Sequence, residues 1–206
     1  MPIIRGKPLA IFMTVPALAL TIGTAYRMNF PPFEEQPRTI STGDTCEALG
    51  ESKDLVPALR IALPKERQYT FINSPIQTSG YQYQVHCSAR DEDRMTVIVL
   101  RTRLMQPMER ENWISKQLND SADDNPLVDF KAGLTATAST TRAGIQVPCD
   151  PKPGTLGGRN NLGVNVFLHE AGEASDKDTR QALIDIVRSA AEYAHKDAKC
   201  ELPSKL

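Results

Sequence analysis

The sequence predicts an α+β fold: two similar strand-Cys-loop-strand-helix modules packed into one disulfide-braced domain, following an N-terminal transmembrane helix. Three observations predict it. A charge-free apolar run lies close to the N-terminus, and all four cysteines follow it. The pentapeptide Tyr83-Gln84-Val85-His86-Cys87 also returns as Ile145-Gln146-Val147-Pro148-Cys149.

The chain opens with Arg5 and Lys7 and no acid up to Lys7, and from Pro8 to Tyr26 no side chain is charged. Wound as a helix, that run extends roughly 28 Å, about the hydrocarbon thickness of a bilayer. Positive charge at its start places the N-terminus inside and the rest of the chain outside. A competing reading is a signal peptide, because Gly23-Thr24-Ala25 offers small residues for cleavage after Ala25, and a third is a buried core helix. Cys46, the first cysteine, lies too far beyond the run to be an acylated lipoprotein cysteine. From residue 29 to residue 45, Pro31-Pro32 and Pro37 give way to Ser, Thr, Gly and Asp, the composition of a tether. The organisation expected is therefore 1–28 signal anchor or signal peptide, 29–45 Pro-rich tether, and 46–206 extracytoplasmic domain.

Within the domain, Cys46 to Leu63 reads as helical pieces broken at Gly50 and Pro57, with Leu55, Leu59 and Leu63 turned inward. Tyr81, Tyr83 and Val85 alternate as in a half-buried strand. After the acidic turn Asp91-Glu92-Asp93, Met95 to Leu100 is apolar on both faces, which marks a central strand. Pro107 to Asn119 has helical spacing, with Trp113, Ile114 and Leu118 on one side and Trp113 at the edge of the core. Leu134 to Ala138 and Ala143 to Val147 form a hairpin around Ser139-Thr140-Thr141. A glycine-rich loop from Gly154 leads to a strand from Gly163 to Leu168. Ser175 and Asp178 cap a last helix whose Leu183, Ile186, Val187, Ala190 and Ala194 recur at 3.6-residue spacing.

Cys46, Cys87, Cys149 and Cys200 contain no C-x-x-C pair, so they read as disulfides rather than zinc ligands. Packing helices on a sheet pairs Cys46 with Cys87 and Cys149 with Cys200, because each strand cysteine then meets a helix end without crossing the sheet.

Chemistry is harder to find. There is no G-x-S-x-G elbow, and His86, His169 and His195 have no zinc-site spacing. Gly154-Thr155-Leu156-Gly157-Gly158-Arg159 lacks the Lys-Ser/Thr of a phosphate loop, and the acids of Asp91–Asp93 and Asp120–Asp124 lack the pattern of a calcium loop. A glycosidase pair of carboxylates has no signature by which the sequence could nominate it. No catalytic residue, metal ligand or cofactor is assigned. A formal net charge of −1 gives no pull toward nucleic acid.

Thr45 to Leu49 (T-C-E-A-L), Gly80 to Cys87 (G-Y-x-Y-x-V-x-C), Arg142 to Cys149 (R-A-G-I-Q-V-P-C) and the ending A-L-I-D-I-V…A-x-Y-A-H, together with the basic start and apolar run, resemble uncharacterised membrane-anchored secreted proteins of actinobacteria. That resemblance implies an envelope location and disulfides, and carries no activity with it. The function expected is a binding or assembly module of the cell envelope, held to the membrane by its N-terminal helix. Its partner would be an envelope protein met by the loop Asp150 to Asn161. A hydrolase whose carboxylates converge only in the fold is the alternative. Cell fractionation tests the anchor: the full-length chain should sediment with membranes, resist high salt and be released by detergent. A mature form in the medium beginning at Tyr26 would replace the anchor with a signal peptide.

Overall fold

The computed structural model describes residues 40–51, 53–65, 68–77, 83–119, 125–150 and 160–206. The apolar run, the tether up to residue 39 and the loop interior at 151–159 lie outside them. No helix among the described residues is long and apolar enough to cross a membrane.

The described strands are β1 (Thr70–Gln77), β2 (Gln84–Arg90), β3 (Thr96–Met105), β4 (Val128–Asp129), β5 (Thr135–Ala138), β6 (Arg142–Cys149) and β7 (Asn160–Leu168). They form one seven-stranded sheet in the order β1-β2-β3-β7-β6-β5-β4, antiparallel throughout. Two meanders, β1–β3 and β4–β7, therefore meet at the β3–β7 seam, whose register runs from Ile98 opposite Leu168 to Met105 opposite Asn161. The fold is α+β, as the sequence predicts.

Strand alternation divides β7 between two environments. Leu162, Val164, Val166 and Leu168 belong to the main core, beneath the helices α1 (Leu55–Ala62) and α3 (Asp176–Asp197). Gly163 and Phe167 point to the opposite face, where they meet the segment after β3: a short α-helical turn, α2 (Arg110–Trp113), running into a π-helical turn, Ile114–Leu118.

In α3, the Ser175 hydroxyl accepts from the Asp178 amide at 3.2 Å and donates to the Asp178 carboxylate at 2.7 Å, so the helix starts where the capping pair predicts. Its stripe Leu183, Ile186, Val187, Ala190 and Ala194 is buried. Leu55, Leu59 and Leu63 are buried as well. Gly50 adopts φ +84°, and a Cβ there would lie 2.6 Å from the Ser189 carbonyl. Only glycine lets the turn Glu47–Leu49 come that close to α3, where the Ser189 hydroxyl donates to the Leu49 carbonyl at 2.7 Å.

Both disulfides have the expected partners: Cys46 with Cys87, their Cα atoms 6.1 Å apart, and Cys149 with Cys200, at 4.7 Å. Cys87 sits in mid-strand opposite Leu100 and not at a strand end, whereas Cys149 ends β6.

The structure departs from the sequence reading at several elements. Pro57 does not break a helix; it lies in the first turn of α1, where a missing N–H leaves no intrahelical bond unmade. Ile40, assigned to the tether, is buried, and its carbonyl accepts from Arg60 at 2.8 Å. Trp113 is fully buried rather than at a core edge. β3 runs five residues beyond Leu100, to Met105. β1 and the short edge strand β4 have no counterpart in the sequence reading. The helical segment after β3 and the helix after β7 lie on opposite faces of the sheet, so the two halves differ there.

Cys149–Cys200 spans 51 residues, a loop for which the chain-entropy model gives about 4 kcal/mol. Cys200→Ser should lower the thermal midpoint by about 10 °C, measured by calorimetry, and leave Cys149 as the newly reactive thiol. Non-reducing peptide mapping that joins Cys46 to Cys149 or Cys200 would refute the pairing.

Candidate functional site

The side chains considered from sequence for chemistry stay apart. The four cysteines are consumed in disulfides. His86 lies on β2, His169 follows β7, and His195 on α3 has its Nε2 2.8 Å from the Leu202 carbonyl oxygen. No group of three or more His, Cys, Asp or Glu able to hold a metal occurs among the described residues. Of the loop Asp150 to Asn161, only its buried ends, Asp150, Asn160 and Asn161, are described.

What the fold does assemble lies on the sheet face away from α1 and α3. Strand register puts His86 opposite Arg101, and Arg101 opposite Asn165, in one row across β2, β3 and β7. The adjacent row is Gln84, Arg103 and Gly163. Directly opposed side chains in such rows stand about 4.5–5.5 Å apart at Cβ. In Arg101-Thr102-Arg103 the alternation turns Thr102 inward, 2 % exposed, and leaves both arginines exposed on the same face.

The segment after β3 closes one side. Trp113 and Leu118 are fully buried and anchor it to the sheet. Two glycines make room for it: a Cβ on Gly163 would strike the Met105 methyl, and one on Gly144 would lie 2.8 Å from both Leu118 Cδ1 and Asn165 Oδ1. Lys116 and Gln117, carried on the π-helical turn, thereby border a cavity of about 390 Å³ with Gln84, His86, Arg101, Arg103 and Asn165. Among the described residues, no carboxylate lines it. Arg101, Arg103 and Lys116 make no ion pair among the described residues. Arg101 is held in place, its Cζ 5.4 Å from the centre of the Phe167 ring. Asn165 is 2 % exposed, and its Oδ1 is sealed off without a hydrogen-bond partner. The groove is thus rich in donors and positive in charge.

Protein-family models, curated proteins and solved structures give no match to this chain. The groove's chemistry must therefore be read from its own residues.

A second cavity, about 580 Å³, lies between the Glu47–Leu49 turn and α3. It gathers Glu47, Glu51, Glu192 and Asp197 with Lys196 and Lys199, so two of its four negative charges are offset. Those four carboxylates are all exposed. Burial, with Asp197 and Glu47 nearby, pushes the Tyr193 phenol up to about 12.

Sequence reading passed over the basic groove. Its one local signal was Arg-x-Arg just beyond an apolar strand; the partners on β2, β7 and the segment after β3 are set by register, which spacing along the chain does not reveal. Burial and then the neighbouring Arg101 hold the His86 imidazole below its ordinary value of 6.5. The unfolded chain therefore binds more protons than the fold just below that value, and this site's contribution to stability is lost as pH falls through it. NMR titration should place the His86 midpoint under 6.5, and Arg101→Gln should move it upward. A midpoint unmoved by that substitution would show that Arg101 does not act on His86.

Proposed function

We propose that the chain is a membrane-anchored extracytoplasmic binding module of the cell envelope, and that it binds through the sheet face opposite α1 and α3. The observation that carries this reading is the groove itself: Arg101, Arg103 and Lys116 converge, with no carboxylate among the described lining residues, on a frame braced by two disulfides. Isolated surface cations are ordinary, but a like-charged set ordered by strand register around a buried asparagine is preorganised for a ligand. The disulfides support an oxidising compartment, and the basic, apolar N-terminal sequence supports an anchor in the cytoplasmic membrane. The 62-residue echo supports reading β2–β3 and β6–β7 as two copies of one hairpin unit, each carrying a cysteine toward the helix layer. The resemblance to membrane-anchored actinobacterial proteins agrees with this location.

The hydrolase alternative has its best foothold in the cavity beside α3, but its carboxylates stand in water, unlike the partly desolvated general acid of a glycosidase. No cofactor or nucleic acid is invoked. A photo-crosslinking residue in place of Gln84, tested in intact cells, should give a ligand or partner adduct, while one in place of the exposed Lys177 on α3 should not. Equal capture from both positions, or capture from Lys177 alone, would move the binding surface off this face.

A further inference from the structure

We infer that the groove bounded by β2, β3, β7 and the Ile114–Leu118 turn is a binding site for a phosphate monoester. This rests on the reading above that the open sheet face is the binding face. The argument begins with charge. Arg101, Arg103 and Lys116 bring three positive charges to one cavity, and among the described residues no carboxylate lines it. A carboxylate ligand supplies one negative charge, whereas a phosphate monoester carries roughly −1.5 to −2 near neutral pH. The monoester is the closer match.

Donor geometry points the same way. Arg101 and Arg103 are alternate residues of β3, so their Cα atoms are about 6.7 Å apart along the strand. Their planar guanidinium forks can therefore grip different oxygens of one tetrahedral group. Lys116 approaches from the other wall as a compact charge. Gln84 and Gln117 add amide groups to the lining. With the Asn165 oxygen sealed against the Gly144 side of the sheet, the amide nitrogen is the polar atom left to Asn165 for the cavity. At about 390 Å³, the space suits a small ester rather than a polymer segment.

His86 extends the design. Among the described residues, the charged groups facing it are Arg101 and Arg103 from β3 and Lys116 from the turn, while its β1 neighbour Ser74 and the β7 residue Asn165 are uncharged. Burial and Arg101 favour its neutral form, and a bound dianion favours the protonated one, so ligand binding and His86 protonation support each other.

The test uses the full-length chain in neutral detergent and isothermal titration with three probes: glycerol 3-phosphate, acetate and the short-chain lipid dihexanoyl phosphatidate. Glycerol 3-phosphate should bind at least tenfold more tightly than acetate. Arg103→Gln and Lys116→Gln should each weaken it about tenfold, while Lys177→Gln on α3 leaves it unchanged. Arg101→Lys keeps the charge and loses the fork, and should also weaken binding. Circular dichroism and thermal melts of each variant confirm that the loss is not unfolding. Addition of glycerol 3-phosphate should raise the His86 titration midpoint. Similar affinity for both phosphates identifies a soluble ester as the source, and tenfold tighter binding of dihexanoyl phosphatidate identifies a lipid headgroup. Equal affinity for acetate, no binding of either phosphate, or binding indifferent to Arg103 and Lys116 would overturn the inference. An adduct from the Gln84 position in cells alongside absent phosphate binding would sink the ligand and leave the binding face standing; adducts from Lys177 alone alongside absent phosphate binding would sink both.

Discussion

The antiparallel pairing of β3 with β7 is the constraint on which the rest of this domain depends. It is the seam between two meanders, and it runs over eight residue pairs without a register break. Because side chains alternate, a slip by one residue would exchange the faces of β3, moving Ile98 and Leu100 out of the core and Arg101 and Arg103 into it. Burying two unpaired guanidinium groups would cost several kcal/mol each. Hydrophobic burial beneath α3 and the solvation of the arginines therefore enforce the same register.

That seam leaves a one-sided protein. The main core lies between the sheet and the layer of α1 and α3, and a second, smaller cluster of Met105, Trp113 and Leu118 secures only part of the opposite face. The disulfides act within the thicker layer. Cys46–Cys87 ties the chain ahead of α1 to the first meander, and Cys149–Cys200 ties the end of α3 to the second. Each meander is thus joined covalently to the helical layer, which constrains the unfolded chain most where its closed loops are long. Stability is concentrated on one face, and the other is free to carry unneutralised charge.

Much of this architecture was legible in the sequence because it follows from local rules. The capping pair at Ser175, the stripe of α3, the hairpin around Ser139 and the cysteine pairing all rest on short-range spacing or on the need of a helix to cover a sheet. β1 was missed because Thr70 to Gln77 mixes Asn73, Ser74 and Pro75 with its apolar residues, as an edge strand can when one side lacks a neighbour. β3 was cut short because Arg101 and Arg103 looked like its end. They are in fact the outward half of a strand whose inward half, Thr102 and Leu104, continues toward the core side. The groove was invisible for a related reason: its members come from four segments brought together only by long-range register and by the way one helical turn lies against the sheet.

The segment Arg110–Leu118 joins the fold to the groove. A helical turn this short has little stability of its own, so its position must come from packing. Trp113 and Leu118 supply that packing, and Gly144 and Gly163 admit it by leaving the sheet without side chains where the turn descends. The π-helical turn then sets Lys116 and Gln117 between two buried anchors, on the side of the turn that borders the arginines. Small residues in β6 and β7, which look like gaps in an apolar strand, are thus what allow the segment after β3 to fold back and set Lys116 in the same cavity lining as Arg101 and Arg103. These three cations share one cavity lining on the face that carries the smaller of the two hydrophobic clusters. The packing that fixes the turn and the field at the groove therefore have one origin, the two anchors on either side of Lys116.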